Sequence, residues 1–269
     1  MPLLVRTWNV FHGNAVPPER RGFLEEAVRL VAADDPDVVC LQELPVWSLA
    51  RLEEWSGMTA VGAVAAPPRL GPLRWPAALG RAATELDHGR LRSAFTGQAN
   101  AILVSRRHRV LDTQELVLND ARFRRAQARW LRLDLVTRLA WAAERRVCQA
   151  ARVALADGRR VLVANLHATS YAADERLADA ELRRAAAFVE ALARPGEPLL
   201  VCGDANVLPE RSRTIRDLVA EGFSEPAPRI DVLLARGLPA SPPAPWPLQR
   251  RCVAGRLLSD HAPVEALVG

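Results

Sequence analysis

The sequence contains no lysine, a single tyrosine and only four cysteines among its 269 residues. All 36 basic residues are therefore arginine. Together with abundant alanine and proline, the missing lysine indicates the codon bias of a GC-rich genome. The net charge of +5 and the pI of about 9.8 are compatible with a polyanionic partner. Solubility explains them equally well.

The cysteines are far apart and form no CxxC pair; they are Cys40, Cys148, Cys202 and Cys252. An even number would allow two disulfides in an exported protein. The N-terminal residues show no charged segment followed by an apolar export signal, and no apolar run is long enough to span a bilayer. We therefore expect reduced thiols, with Cys40 and Cys202 buried at strand ends, in a cytoplasmic protein without stable membrane insertion.

The pattern of apolar residues predicts alternating strands and helices. A hydrophobic fraction of 49% with 25% charged residues is typical of a globular protein. The first strand–helix–strand–helix segment favours an α/β fold, with strands at 3–10 and 37–42 and a helix from 17 to about 33. Further strands are predicted at 99–105, 110–118, 128–136, 147–156 and 159–165, followed by a helix at 174–193.

Residues 67–95, with several prolines and glycines, predict a long irregular insertion that contains about one helical turn. A loop of this length is more often functional than idle, as a lid or a substrate-binding loop. No break in composition marks a linker, and polar motifs lie at both ends of the chain. Because both halves must then meet at one site, we expect residues 1–269 to form a single domain.

Short polar motifs follow the predicted strands, at the point where each strand ends. The stretch LLVCGDAN (199–206) leads from an apolar run into Asp204 and Asn206. Loops at strand ends are where α/β proteins place their chemistry, because a rigid sheet aims the side chains there. Alone, GDxN could be an ordinary turn. Other strand-like runs end in Trp8-Asn9, Gln42-Glu43, Asn165-Leu166-His167, Ile230-Asp231 and Ser259-Asp260-His261.

Taken in order, the motifs WN, QE, GxANAIL, NLH, GDxN, ID and SDH resemble those of the endonuclease/exonuclease/phosphatase superfamily, the DNase I-like metal-dependent phosphohydrolases. The resemblance covers residues 5 to 268. It implies an α/β four-layer sandwich, in which two mostly antiparallel β-sheets pack face to face with helices on the outside. It also implies phosphoester hydrolysis with Mg²⁺ or Mn²⁺, cations that prefer carboxylate and amide oxygens.

The resemblance assigns metal-binding roles to Glu43, as the main ligand, and to Asn9 and Asp260 beside it. A glutamate that ends a strand is ordinarily a solvated surface carboxylate, and the accompanying Asn9 and Asp260 favour the ligand instead. By the same similarity, His261 contacts the scissile phosphate or acts as the base, and Asp231 orients it. A carboxylate paired with an imidazole fixes the tautomer and raises its basicity.

Asp204 would orient or deprotonate the attacking water, and Asn206 would donate to a phosphate oxygen. Which of Asp204 and His261 takes the proton stays open. His167 is the histidine that the DNase I, sphingomyelinase and inositol-phosphatase branches carry, where the exonuclease III-like branch carries tyrosine. Its neighbour Asn165 could be structural, and Asn100 is expected to stabilise the backbone of the site.

Two features bear on the substrate. The ID motif reads APRIDVLL and lacks the Trp-Cys and Arg that extend it in inositol-polyphosphate 5-phosphatases, which disfavours a lipid phosphatase. Arginines interleaved with Phe123 and Trp130 in a predicted strand could track a nucleic-acid backbone. The alternative for these arginines is a solvated strand face together with codon bias; they are Arg122, Arg124, Arg125, Arg129 and Arg132.

We therefore expect a metal-dependent nuclease, acting as a monomer on nucleic acid or another phosphodiester. The alternative is a phosphatase or phospholipase-type hydrolase of a small or lipid phosphoester. An inactive nucleic-acid-binding module is disfavoured because no polar position of the motif set is substituted. His12, His88 and His108 lie outside the motifs and are expected to be exposed to solvent.

Overall fold

The computed structural model describes residues 2–70, 73–74, 76–89 and 96–269. Its α-helices are α1 (Leu24–Ala32), α2 (Leu52–Ser56), α3 (Ala77–Leu86), α4 (Ala121–Trp130), α5 (Leu135–Ala143), α6 (Arg176–Leu192) and α7 (Arg213–Ala220). Its strands are β1 (Leu3–Asn9), β2 (Ala15–Val16), β3 (Val38–Leu44), β4 (Thr59–Ala66), β5 (Arg69–Leu70), β6 (Leu73–Arg74), β7 (Gln98–Val104), β8 (Arg109–Val117), β9 (Val147–Ala154), β10 (Arg160–His167), β11 (Leu199–Asp204), β12 (Asp231–Arg236), β13 (Ala244–Pro245), β14 (Cys252–Val253), β15 (Arg256–Leu258) and β16 (Val264–Val268).

Two sheets dominate the fold. The first has the strand order β13–β16–β1–β3–β7–β4, and the second has the order β12–β11–β10–β9–β8. Neighbouring strands run antiparallel except β1 with β3 and β10 with β11, which are parallel. The prediction of mostly antiparallel sheets is confirmed, although each sheet is mixed. Parallel neighbours end at the same edge of a sheet, which matters for the site described below.

Side chains that alternate along the strands build the layers. In β3, Val38 and Cys40 enter the core between the two sheets, whereas Val39 and Leu41 pack towards α1. Period-two alternation of this kind is what a strand buried on both faces requires. Helices α6 and α7 cover the outer face of the second sheet. The predicted helix–sheet–sheet–helix sandwich is therefore confirmed.

Helix α1 begins later than predicted. Residues 17–23 form no helix, and the first helical residue is Leu24. The main-chain N–H of Phe23 donates to Gly13 O (2.7 Å), so this segment is tied to the preceding turn. The apolar spacing of 3.6 residues starts only at Phe23, and the helix starts with it. The apolar face of this segment is buried at Phe23, Leu24, Ala27, Val28 and Val31.

The strand predicted at 128–136 is wrong, because this segment belongs to the two helices α4 and α5 and the turn between them. Asp120 Oδ1 accepts the main-chain N–H groups of Arg122 and Phe123, and Asp134 Oδ1 accepts that of Thr137. An aspartate that accepts these otherwise unpaired donors is a strong start signal for a helix. The short apolar runs inside the segment are compatible with either structure, so the caps decide.

The insertion at 67–95 is more ordered than predicted. It contains the hairpin β5–β6 and the ten-residue helix α3, instead of about one helical turn. The parts of this prediction that fall on residues 71–72, 75 and 90–95 lie outside the described residues.

The cysteines are free thiols, as predicted, with Cys40, Cys148 and Cys202 buried and Cys252 exposed. Within the described ranges, no helix has the length and apolar character needed to cross a membrane.

Candidate active site

Three of the predicted site residues lie in one row across the second sheet. In the strand register, Asp204 is opposite His167 of β10 on one side and Asp231 of β12 on the other. All three are buried. Because β10 and β11 are parallel and β12 is antiparallel to β11, the ends of two strands and the start of a third meet at one edge. The strand pairing alone thus assembles an aspartate pair beside a histidine.

The first sheet brings Asn9 and Glu43 to the same place. Asn9 ends β1 opposite Gln42 of the parallel strand β3, and Glu43 follows Gln42. The amide Nδ2 of Asn9 donates to Glu43 Oε1 (3.2 Å) and to Asp204 Oδ2 (2.9 Å). Its Oδ1, the atom that would bind a metal, accepts the main-chain N–H of Phe11 (3.0 Å). Asn9 therefore joins the carboxylates of the two sheets.

The turn Ser259–His261 closes the site from the C-terminal end of the chain. Ser259 Oγ donates to the Asn9 carbonyl oxygen (2.6 Å) and accepts the N–H of His261 (3.0 Å). Trp8 Nε1 and Arg251 Nη1 both donate to the carbonyl oxygen of His261 (3.0 and 2.6 Å). Ser259 has a φ of 58°, a left-handed conformation that a non-glycine residue adopts only when its surroundings hold it.

His261 and Asp231 form a hydrogen-bonded pair. His261 Nδ1 lies 2.9 Å from Asp231 Oδ1, and Nε2 faces Asp204 Oδ2 at 3.8 Å. Burial disfavours the imidazolium, but the Asp231 hydrogen bond and the charges of Asp204, Asp231 and Asp260 outweigh it and raise the pKa of His261 to about 10. A protonated His261 donates at both nitrogens.

His167 is in the opposite electrostatic state. Its Nε2 lies 3.6 Å from Asp204 Oδ2 and 3.7 Å from Glu43 Oε1. Burial, then the charge of Arg146, lowers the pKa of His167 well below its usual value. Gln98 Nε2 donates to Nδ1 (3.2 Å) while Gln98 Oε1 accepts from Arg146 (3.3 Å). We assign the proton of the neutral ring to Nε2, towards the two carboxylates, because Gln98 Nε2 and Arg146 Nη1 can both donate to Nδ1.

Sequence reasoning missed Arg146, which is buried with Nη1 3.0 Å from both ring nitrogens of His167. It places a buried guanidinium beside the acidic residues of the site, and its charge opposes the rise in the pKa of Glu43. The strands predicted at 147–156 and 159–165 contained the signal, because Ala156-Asp157-Gly158 between them is a sequence typical of a hairpin turn. Counting residue pairs back from that turn places Cys148 of β9 opposite Leu166 of β10. Arg146, which precedes β9, then lies beside His167.

The prediction that three histidines are solvent-exposed is wrong. His12 and His88 are 4% and 5% exposed, and the His108 side chain is 5% exposed. His108 contacts Asp37, and His88 Nε2 donates to the His12 carbonyl oxygen (2.7 Å). His12 belongs to the site, because its Nε2 lies 3.6 Å from Glu43 Oε2. The sequence signal that His12 belongs to the site was its position, three residues after Asn9.

The GDAN segment holds Asp204 in place by its backbone. Gly203 has a φ of +135°, and a Cβ atom there would lie 2.0 Å from Leu166 O of the neighbouring strand. Asp204 Oδ1 accepts the N–H of Asn206 (3.0 Å), and the Asn206 amide donates to Ala168 O (3.0 Å). Burial, and then the charge of Asp231, raises the pKa of Asp204 to about 7.

The carboxylates of Glu43 and Asp260, beside the amide of Asn9, suit a hard divalent cation. Burial raises the pKa of Glu43, and the charge of the exposed Asp260 adds to the rise. A bound cation stabilises carboxylates whose charges interact in this way, and their oxygens suit Mg²⁺ or Mn²⁺. The tightest ligand-type cluster in the described part is different: Asp204, Asp231 and His261, with atoms within 4.8 Å of one another. There His261 Nδ1 already bonds Asp231, so we assign this cluster to proton transfer.

Asn165 and Asn100 support the site from below. Asn165 Nδ2 donates to the carbonyl oxygens of Leu41 and Ala101 in the opposite sheet (both 2.9 Å), and its Oδ1 accepts from Gln42 Nε2 (2.8 Å). Asn100 Nδ2 donates to Val147 O (3.3 Å). These bonds connect the two sheets directly beneath the catalytic row, so both side chains have structural partners.

The predicted interleaving of arginines and aromatics on a strand face is wrong. Phe123 lies under Arg184 and packs against the buried Trp141, while Trp130 is 72% exposed at the end of α4. Arg122, Arg124, Arg125 and Arg129 lie on helix α4, where residues one or two apart do not share a face, and Arg132 lies in the turn after it.

Comparison with known proteins places this geometry in context. The model of the Endonuclease/Exonuclease/phosphatase family matches residues 7–261. No curated protein matches the sequence. Solved structures match over almost the whole chain at low identity, which supports the fold alone.

Three of these structures illustrate the range. A mannosyl-6-phosphatase from Bacteroides thetaiotaomicron is 15% identical with a TM-score of 0.65, covering 99% of each chain. Truncated TDP2 from Caenorhabditis elegans is 16% identical with a TM-score of 0.61, covering 100% of this chain and 97% of that one. The human Nocturnin catalytic domain is 19% identical with a TM-score of 0.62, covering 100% and 93%.

Proposed function

The chain belongs to the endonuclease/exonuclease/phosphatase family, and on that premise we propose that it is a divalent-metal-dependent phosphodiesterase. Members of this family are hydrolases of phosphoester bonds and are generally divalent-metal dependent. The observation that carries the proposal is the Asp231–His261 pair, which faces Asp204 across 3.8 Å while Asn9 links Asp204 to Glu43. This arrangement supplies an acid, a base and a carboxylate cation site in one small volume.

Glu43 and Asp260 would hold the cation, with Asn9 positioning Glu43 and Asp204. When bound, the metal neutralises charge on the phosphoryl oxygens and stabilises the leaving alkoxide. The alternative, in which Asn9 is itself a ligand, requires its Oδ1 to serve the cation as well as the Phe11 N–H.

Asp204 is the base in this proposal. Its pKa of about 7 matches a general base that works near neutral pH. It accepts a proton from the attacking water, and Asn9 and the Asn206 N–H hold it in place. His261, whose proton is stabilised by Asp231, donates from Nε2 to a phosphoryl oxygen.

His167 and Asn206 complete the set by donating to the phosphate. The neutral His167 presents its Nε2 proton to the space beside Glu43 and Asp204. Arg146 fixes that ring, and its charge favours the negative charge that builds up during the reaction. We retain as proposals that residues 1–269 form one domain, that the protein is a monomer, and that it is cytoplasmic.

A nuclease is the form of this activity that the motif set favours. A second candidate is a phospholipase-type hydrolase of a lipid phosphodiester. The exposed aliphatic side chains of α5 favour it, since Leu135, Val136 and Leu139 are each more than half exposed near the exposed Trp130.

A substrate panel tests the proposal: plasmid, single-stranded DNA, RNA, phospholipid vesicles, inositol phosphates and bis-p-nitrophenyl phosphate, each with Mg²⁺ and with EDTA. We expect bis-p-nitrophenyl phosphate and at least one nucleic acid or phospholipid to be hydrolysed with Mg²⁺ and not with EDTA. Hydrolysis of inositol phosphates alone would instead identify a phosphomonoesterase. No hydrolysis of any substrate with Mg²⁺ or Mn²⁺ would contradict the proposal.

A further inference from the structure

The segment from Leu118 to Arg146, which we call the arginine hairpin, contains α4, α5 and the turn between them. It carries eight arginines and three acidic residues, a net charge of +5. The rest of the chain has 28 arginines and 28 acidic residues, so the entire net charge of the protein resides in this hairpin. Codon bias explains arginine in place of lysine, but it does not explain this concentration of charge.

The exposed arginines of the hairpin form no ion pair with the acidic residues that the structure describes. Arg125, Arg129, Arg132 and Arg138 are exposed, and none forms an ion pair in the part of the chain that the structure describes. Elsewhere, exposed arginines commonly pair with a neighbour, as Arg29 does with Glu25 and Arg81 with Glu85. The hairpin therefore presents uncompensated positive charge to solvent.

Apolar side chains are exposed where the two helices meet. Trp130 is the last residue of α4 and is 72% exposed; Leu135 and Val136 begin α5 and are each 69% exposed, and Leu139 is 63% exposed. Leu135 and Leu139 are four residues apart and so share one face of the helix. Single exposed apolar residues are ordinary, but four within the ten residues 130–139 are a concentration of exposed apolar surface of the kind that interaction sites show.

A groove between the two helices is lined by both arginine and apolar side chains. Its volume is about 340 Å³, and its lining includes Arg124, Arg125, Arg129 and Arg138 together with Trp141. An arginine-rimmed groove with an apolar floor suits a phosphate group attached to an apolar chain. Long arginine stems can lie along apolar surface while their guanidinium groups bind the phosphate.

The base of the hairpin is fixed to the catalytic site. The buried Glu181 of α6 accepts Trp141 Nε1 (2.5 Å) from the hairpin and the N–H and hydroxyl of Thr169 (2.7 and 2.8 Å), two residues after His167. Arg146, the last residue of the hairpin, contacts His167 itself. A surface bound by the hairpin is therefore held at a defined place beside the site.

From this combination we propose that the arginine hairpin docks the protein on an anionic phospholipid bilayer, with Trp130, Leu135, Val136 and Leu139 in the interface and the arginines on the lipid phosphates. Basic helices with an exposed apolar face bind bilayer surfaces in this manner, by apolar burial and attraction to anionic lipids. The docking itself does not depend on the proposed catalysis. That the docked site reaches a phosphodiester of the bilayer rests on the proposed function.

Nucleic acid accounts for the arginines but not for the aliphatic residues. Leu135, Val136 and Leu139 offer a phosphate backbone no hydrogen bond and a base no aromatic face. Phe123, which would have been a stacking residue, is packed against Trp141. A second copy of the chain accounts for the apolar patch but would bring the +5 hairpins of both copies together.

Sedimentation with lipid vesicles tests the proposal, with the full chain in EDTA so that no turnover occurs. We expect binding to vesicles of phosphatidylcholine with phosphatidylglycerol, little binding to phosphatidylcholine alone, and weaker binding as salt rises. The double variant Leu135→Ser/Leu139→Ser should lose at least about tenfold in affinity. Arg125→Gln/Arg129→Gln should lose on the order of fivefold per arginine.

Two matched controls separate the hairpin from general surface effects. Leu248 is 54% exposed in a different element, and Arg216 is an exposed arginine of α7. Leu248→Ser and Arg216→Gln should bind vesicles as the wild type does. Quenching of tryptophan fluorescence by spin-labelled lipid should fall in Trp130→Phe, because that variant removes the inserted ring. All variants should hydrolyse bis-p-nitrophenyl phosphate at the wild-type rate, so a failure of docking is distinguishable from a failure of catalysis.

Three results would overturn the proposal. The first is equal or absent binding to anionic and neutral vesicles. The second is a selective loss of duplex DNA binding in the arginine variants, which would assign the hairpin to nucleic acid. The third is a dimer in light scattering that dissociates in the leucine variant, which would assign the patch to a second copy of the chain.

Discussion

Two histidines of the site are in opposite charge states because burial and Arg146 keep His167 neutral, whereas the carboxylates around His261 outweigh its burial. His261 bonds the carboxylate of Asp231, which favours the imidazolium, whereas His167 lies against the guanidinium of Arg146, which disfavours it. Both rings are largely buried, so burial alone would push both towards the neutral form. Asp231 and Arg146 are therefore direct contacts that push the two rings towards opposite charge states, together with the other aspartates around His261 and the burial of His167.

Asp231→Asn tests the pairing at the level of catalysis. The amide cannot stabilise the His261 imidazolium, so we expect kcat to fall on the order of 10²-fold or more. Mg²⁺ affinity should change little, since Asp231 is not among the proposed ligands. Steady-state kinetics and calorimetry measure the two quantities separately. A rate within a factor of a few of the wild type would reduce Asp231 to a structural turn residue.

The same variant has a signature in the pH dependence of stability. In the folded protein the pKa of His261 is raised from 6.5 to about 10, so the native state keeps a proton that the unfolded chain releases. This contribution is fully present below pH 6.5 and is lost as the pH rises towards 10. In metal-free protein, the free energy of unfolding should therefore fall between about pH 7 and 10, and less steeply in Asp231→Asn. Urea unfolding at a series of pH values measures this free energy. If the free energy of unfolding fell with pH as steeply in the variant as in the wild type, the pairing of His261 with Asp231 would be contradicted.

At the residue scale, the sequence predicted the ordered polar motifs because each follows an apolar strand, a pattern visible locally. It did not predict His12, Gln98 or Arg146 as parts of the site. Their burial depends on which strands become neighbours, and that is settled by contacts between residues far apart in the chain. The residue type of a buried arginine or histidine does not distinguish it from an exposed one, so the only signals were positional: the distance of His12 from Asn9 and of Arg146 from the turn at 156–158.

At the scale of elements, the strand β11 needs glycine immediately before its aspartate. The backbone of β10 approaches Gly203 so closely that a Cβ would lie 2.0 Å from Leu166 O, and the φ of +135° is one that other residues rarely adopt. The close approach is what puts Asp204 in register with His167. The glycine of the GDxN motif is therefore part of the construction of the site.

Gly203→Ala should destabilise the fold by about 3 kcal/mol or more, because the obstructing atom belongs to the backbone and cannot rotate away. Gly158→Ala is the matched control. That glycine also has a positive φ, +85°, but a Cβ added there would meet nothing within 4 Å. The control should cost about 1 kcal/mol. Chemical denaturation measures both, and equal losses would show that φ alone, not the approach of β10, makes Gly203 necessary.

Elements were predictable where apolar periodicity is long and clear. Helix α6 and the strands around the hairpin turn at 156–158 satisfy that condition, and they occur close to the predicted bounds. The segment 128–136 does not, because its apolar run is short and lies across the boundary between two helices. Asp120 and Asp134 determined the outcome there through their caps, which are short-range signals that a search for strands overlooks.

At the scale of the molecule, the site exists only where the two sheets meet. Asn9 and Glu43 come from the first sheet, His167 and Asp204 from the second, and His261 from the turn before β16. Residues from both ends of the chain must be packed together before any of them can act, which is the physical basis for proposing a single domain. The overall order of motifs predicted this meeting, and the layered fold provides it.

The most direct test of the account is the metal dependence of bis-p-nitrophenyl phosphate hydrolysis in Glu43→Gln. Glutamine can still accept the Asn9 hydrogen bond, so the variant removes the anionic ligand with little change in shape. We predict that the wild type is active with Mg²⁺ and inactive in EDTA, and that Glu43→Gln folds normally but loses Mg²⁺-dependent turnover and most of its calorimetric Mg²⁺ affinity. Undiminished turnover and Mg²⁺ affinity in a folded Glu43→Gln would contradict the account.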